Sequence, residues 1–143
     1  MVFKIFLFIS LLPLNPIITS SDYEYWNDVM EAIIQVESNG NPNAVNKTSG
    51  AVGAMQIKKI VVDDCNEYLA KKKINKRYTY DDRWNVQKSK EMFMLIQDRY
   101  NKNKDIEKAA RIWNGGCCYN KEKTDGYYKK FLIEYSEIQS KAI

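Results

Sequence analysis

Apolar residues recur at helical spacing along most of this chain, and polar or glycine-containing breaks divide them into five segments. Trp26, Val29, Met30, Ile33, Ile34 and Glu37 follow one another at intervals of three, one, three, one and three, which is one face of a helix. Ser21 and Glu24 fit a capping box at its start, and Asn39, Gly40 and Pro42 supply a stop and a turn after Ser38. The stretch NKTSGAVGAMQI reads as a loop with Gly50 and Gly53, leading into a second helix marked by Met55, Ile57, Ile60, Val61 and Tyr68. Lysine-rich AKKKINKR and aromatic YTYDDRW form an exposed connection. A third helix carries Val86, Phe93, Ile96 and Tyr100, and a fourth runs from Asp105, a suitable N-cap, through Ile106, Ala109, Ala110 and Trp113 to Gly115 and Gly116. The last begins at about Gly126 and presents Tyr128, Phe131, Leu132, Tyr135 and Ile138. With no long alternating stretch to suggest a strand, the pattern predicts a mainly α fold.

Composition narrows this to one domain: 143 residues, 45% hydrophobic and 28% charged, are enough for one core and too few for two. The first twenty residues differ in kind. Lys4 precedes the apolar run IFLFISLLPL, and the small residues of ITSS follow, the pattern of a secretory signal peptide ending near Ser20 or Ser21. The run is too short to span a bilayer and is interrupted by Pro13 and Pro16, so no permanent membrane anchor is expected. The organisation read from sequence is a signal peptide over 1–20 and one domain over 21–143, exported to the periplasm or the extracellular space.

Net charge is +4, of which Lys4 supplies one unit, and the basic residues are scattered. Such a surface suits an anionic polymer only weakly, and KKKINKR has no recognition motif around it, so nucleic acid is not an expected partner. Cys65, Cys117 and Cys118 cannot all pair within one chain. Cys65 could bridge one of the adjacent two, or all three could be free thiols. With no histidine and no CxxC spacing, neither a metal site nor another cofactor is expected. Asn46, Lys47 and Thr48 form an N-glycosylation pattern, relevant only in a eukaryotic secretory pathway.

The chemistry centres on Glu37, a carboxyl group on an apolar helical face. It lies in the last turn, where unsatisfied carbonyls carry partial negative charge, and both surroundings disfavour ionisation. A carboxyl kept protonated near neutral pH is what a general acid for glycosidic cleavage requires. Alternatively Glu37 turns to water or bonds to a loop.

Glu37-Ser38, then NPNAV, then GAVGAMQI from Gly50 to Ile57, then WNGG from Trp113 to Gly116 resemble, in order, the motifs of the soluble lytic transglycosylase family, relatives of goose-type lysozyme. The resemblance spans about residues 25 to 135. It implies a lysozyme-like domain with a groove for the glycan strand of peptidoglycan, Glu37 as catalytic acid and base, and 1,6-anhydro-muramic products. By the same resemblance Ser38, Met55, Gln56, Trp113 and Asn114 are candidate substrate contacts; independently of it, YTYDDRW offers Tyr80, with Tyr78 beside it, as a candidate stacking ring or else a solvated turn. Trp113 stands where the family usually has tyrosine, so a phenol hydroxyl near Glu37 is lacking at that position. Lys58 and Lys59 stand where many relatives have an apolar residue and proline. A monomer is expected. Two rivals remain: a lysozyme-type hydrolase, with Asp63, Asp64, Asp81 or Asp82 as second carboxylate, and a catalytically silent wall-binding module. Asp63 and Asp64 look like the exposed side of a helix.

Overall fold

A computed structural model describes residues 17–142, so the expected signal peptide lies outside the described residues except for its last four positions. Those residues form five α-helices: α1 (Ser20–Ser38), α2 (Lys59–Lys71), α3 (Val86–Tyr100), α4 (Ile106–Gly115) and α5 (Lys121–Lys141), with a 3-10 turn at Tyr80–Trp84. The mainly α expectation holds.

Every helix but α2 starts at a side-chain cap. Thr19 caps α1 in a reciprocal box with Asp22, two residues before the Ser21–Glu24 box expected from sequence. Asn85, Asp105 and Asn120 each accept a backbone N–H three residues on. Asn39 closes α1 in the left-handed conformation, with φ 53°.

Packing centres on α3, which is buried nearly all round its middle, from Met92 to Gln97. The Phe93 ring meets Trp26 of α1 edge-on at 5.6 Å and Trp113 of α4 at 5.3 Å, so one aromatic cluster joins three helices. Helix α5 lies along α1 and α4. Buried Arg111 of α4 locks its start by donating to the Lys121 carbonyl and the Thr124 hydroxyl, with an ion pair to Asp125. This explains why α5 begins at Lys121 rather than at Gly126: a glycine inside the segment looked like its boundary, whereas Asn120 is the cap.

Two further expectations change. Met55 and Ile57 precede α2 in a tight loop bridged at Val45–Val52 and Val52–Ile57, and Ile60 is 71% exposed. The YTYDDRW segment is partly core: Tyr78 is buried, its backbone paired to Asn66 and its hydroxyl donating to Glu91 at 2.7 Å. Tyr78 is therefore unavailable for stacking on a sugar.

Candidate active site

Glu37, the next-to-last residue of α1, continues the stripe of Trp26, Met30, Ile33 and Ile34 to the point where the helix meets a groove. Its Oε1 accepts a hydrogen bond of 2.9 Å from the Tyr127 hydroxyl of α5. Burial pushes the carboxyl up from 4.5 to about 7, and the Tyr127 bond and the charge of Lys58 offset only part of that rise. Burial, together with the Glu37 charge and hydrogen bond, drives the Tyr127 hydroxyl well above its ordinary value, so it stays a donor. A carboxyl with this poise is present in both protonation states near neutral pH.

The loop after α1 is stitched to Glu37 through its neighbour. The Ser38 hydroxyl donates to the Ala54 carbonyl at 2.7 Å, with the Ile34 carbonyl a longer alternative at 3.2 Å. Ser38 thus ties the helix end to the Gly53–Gln56 turn. Gly53 has φ 82°, and a Cβ there would come within 2.1 Å of the Arg83 carbonyl oxygen, so only glycine fits. Arg83 is buried with no carboxylate partner among the described residues, and its guanidinium donates to the carbonyls of Tyr80, Gly50 and Ile57. Gln56 is held at φ 52° by its own amide, which donates to the Ala44 and Gly53 carbonyls. Its side-chain oxygen remains as an acceptor on the groove wall.

The groove encloses about 800 Å³, a size suited to a sizeable ligand. Glu37, Gln56 and Lys58 form one part of its wall, and Trp113, Asn114 and the Gly115–Gly116 turn another. Trp113 serves both core and groove: its ring packs on Phe93, and its Nε1 donates to the Met55 carbonyl at 3.1 Å. Met55 itself is fully buried, so its side chain supports the wall from behind rather than facing a ligand. Asn114 is exposed on the wall. Tyr80 lies outside the lining residues, its hydroxyl donating to Asp63 at 3.0 Å.

Asp63 is exposed, as expected, and Asp64 half-buried, and both line the groove. Both are engaged. Asp63 accepts from Tyr80, while Asp64 Oδ1 accepts from Arg99 at 2.6 Å and from the Tyr100 hydroxyl at 3.0 Å. Asp82 caps the 3-10 turn and pairs with Lys88 at 2.7 Å. Cys65 is buried and donates to the Met92 carbonyl, whereas Cys117 and Cys118 are exposed beside the groove, so the three thiols are free. Among the described residues no cluster of His, Cys, Asp or Glu is placed to hold a metal ion.

Two groups at the centre of this arrangement were not assigned a role from sequence, Tyr127 and Lys58. Tyr127 supplies the phenol hydroxyl that Trp113 lacks, from a helix 90 residues away along the chain. No local motif marks it; only its place among the aromatic residues of α5 hints that it packs inward.

A family model described as the transglycosylase SLT domain matches residues 15–133. No curated protein and no solved structure matches the chain.

Proposed function

The chain belongs to the transglycosylase SLT domain family, and from that premise we propose that it cuts the β-1,4 bond between N-acetylmuramic acid and N-acetylglucosamine in peptidoglycan without using water. Glu37 starts protonated and gives its proton to the glycosidic oxygen as the bond to the anomeric carbon breaks. The resulting carboxylate takes the proton of the muramic 6-hydroxyl, whose oxygen closes onto the anomeric carbon. Glu37 is protonated again, the product ends in a 1,6-anhydro ring, and the atoms balance with no water consumed.

The observation that carries this reading is the contrast in carboxyl groups on one groove. Glu37 is desolvated, forms no salt bridge among the described residues, and is held by a neutral hydroxyl, the charge of Lys58 offsetting only part of its burial. Asp64, which a hydrolase could use as a base for water, is tied to the Arg99 guanidinium and the Tyr100 hydroxyl, and Asp63 is solvent-exposed and accepts from Tyr80, so neither shares the desolvation of Glu37. A reaction that needs one free carboxyl fits this groove better than one that needs two. The Tyr127 hydroxyl holds Glu37 in one orientation through both proton transfers and stabilises the carboxylate between them.

On this reading the protein acts as an exported monomer on glycan strands, with no cofactor, and Ser38 and Met55 position the groove wall that Gln56, Trp113 and Asn114 present to sugar. Among the described residues no helix is long and apolar enough to cross a membrane.

Mass spectrometry of fragments released from purified peptidoglycan tests the proposal. Anhydro-muramic ends are expected, and Glu37→Gln is expected to abolish release while retaining binding to the wall. Reducing ends would overturn it in favour of hydrolysis, and binding without release by the parent chain would overturn it in favour of a silent module.

A further inference from the structure

Lys58 is the one lysine or arginine on the wall of the groove, and among the described residues its ammonium forms no salt bridge. The acids on the same wall other than Glu37 have partners of their own: Asp64 pairs with Arg99, Glu67 with Lys71 and Arg99, and Asp63 accepts from Tyr80. The neighbouring Lys59 is directed elsewhere, its ammonium lying 5.0 Å from the Tyr80 ring centre. At the residue before the first turn of α2, the positive charge of Lys58 opposes the helix dipole, so it contributes nothing to that helix. Lys58 and Glu37 line the same groove, and the positive charge of Lys58 acts on the Glu37 carboxyl without forming a salt bridge with it.

We propose that Lys58 is a specificity-determining residue that binds a carboxylate carried by the glycan strand next to the bond being cut. The inference rests on the function proposed above for the same groove. A solvated ammonium gives up little hydration to reach a carboxylate at the rim of a groove and makes a charge-assisted hydrogen bond with it. On peptidoglycan that chemistry has two sources. The lactyl group of the muramic residue is a free carboxylate where the peptide stem has been removed, and it is an amide where the stem is attached. The stem itself carries carboxylates further from the sugar.

The test measures binding of defined muramic-containing oligosaccharides to the full chain carrying Glu37→Gln, with and without Lys58→Met and Lys58→Arg, by titration calorimetry. Three oligosaccharides are compared: bare with a free lactyl carboxylate, bare with that carboxylate converted to its methylamide, and stem-bearing. Lys58→Met is expected to weaken binding of a carboxylate-bearing oligosaccharide about tenfold, the worth of one charge-assisted hydrogen bond. The methylamide form should be unaffected, and Lys58→Arg should restore most of the loss. A penalty confined to the bare acid identifies the lactyl group, and one confined to the stem-bearing form identifies a stem carboxylate. Equal losses on all three, no loss on any, or no binding at all would overturn the proposal. Because this readout involves no cleavage, it is separable from the reaction. Reducing ends from the parent chain with the Lys58 preference intact would overturn the reaction and support the specificity.

Discussion

Glu37 and Asp64 face the same groove from opposite electrostatic circumstances. Asp64, on α2, is held by the Arg99 guanidinium and the Tyr100 hydroxyl, an arrangement that fixes the carboxylate in place. Glu37, at the end of α1, has a buried carboxyl whose hydrogen-bond partner is the neutral Tyr127 hydroxyl. The difference teaches that a groove does not make its acids reactive. A paired carboxylate is part of the wall, and a desolvated, unpaired one is available to exchange a proton.

The largest expected effect breaks the comparison outright if it fails. Glu37→Gln should lower the rate of glycan cleavage by about 10²–10⁴-fold, the range for loss of a general acid–base group, while Asp64→Asn lowers it by less than about tenfold. Comparable losses in the two variants would mean that Asp64 takes part in the chemistry.

The same substitution should raise stability. Glu37 binds its proton more tightly in the folded chain than in the unfolded one, so it costs nothing below pH 4.5, costs progressively more from 4.5 to about 7, and costs a constant amount above. Glu37→Gln should therefore gain up to about 3 kcal/mol over the parent at pH 8 and nothing at pH 4, read from urea unfolding at both values. A gain that does not depend on pH would show that Glu37 is not desolvated. Asp64→Asn should do the reverse and lose about 1–2 kcal/mol at pH 8, because Arg99 and Tyr100 lose a charged acceptor. No loss of stability in that variant would place Asp64 outside the framework of the wall.

The smallest effect sharpens the role of Tyr127. Activity of the parent should fall as pH rises through about 7, where Glu37 loses the proton it must donate. Tyr127→Phe removes a bond that favours the ionised form, so the descending limb should move to higher pH while the maximum rate falls modestly. A limb that stays in place would mean that the hydroxyl does not reach Glu37 in solution.

The helices were legible because their signals are local. Spacing alone marked α1, α3 and α4 and the buried stripe of α1, although Val86, marked for α3, is exposed, and the glycine turn before Gln56 was visible as a turn. The errors arose where local signals compete. Gly126 resembled a helix boundary but sits inside α5, because Arg111 and the Asn120 cap fix the start earlier. Tyr78 resembled an exposed ring but is buried, because Asn66 pairs with its backbone and pulls the segment inward.

The sequence by itself determined a mainly helical domain, the stripe that ends at Glu37, and the ordered motifs that carry the family resemblance, since these depend on residues a few positions apart. Only the tertiary structure decided what surrounds the carboxyl. Tyr127 reaches Glu37 from 90 residues away, and the charge of Lys58, on the same groove, acts on it. Met55 turns into the core and Asp64 into an ion pair. Burial and pairing are properties of the three-dimensional neighbourhood, and it is these, rather than the order of residues, that set which carboxyl group can give and take a proton.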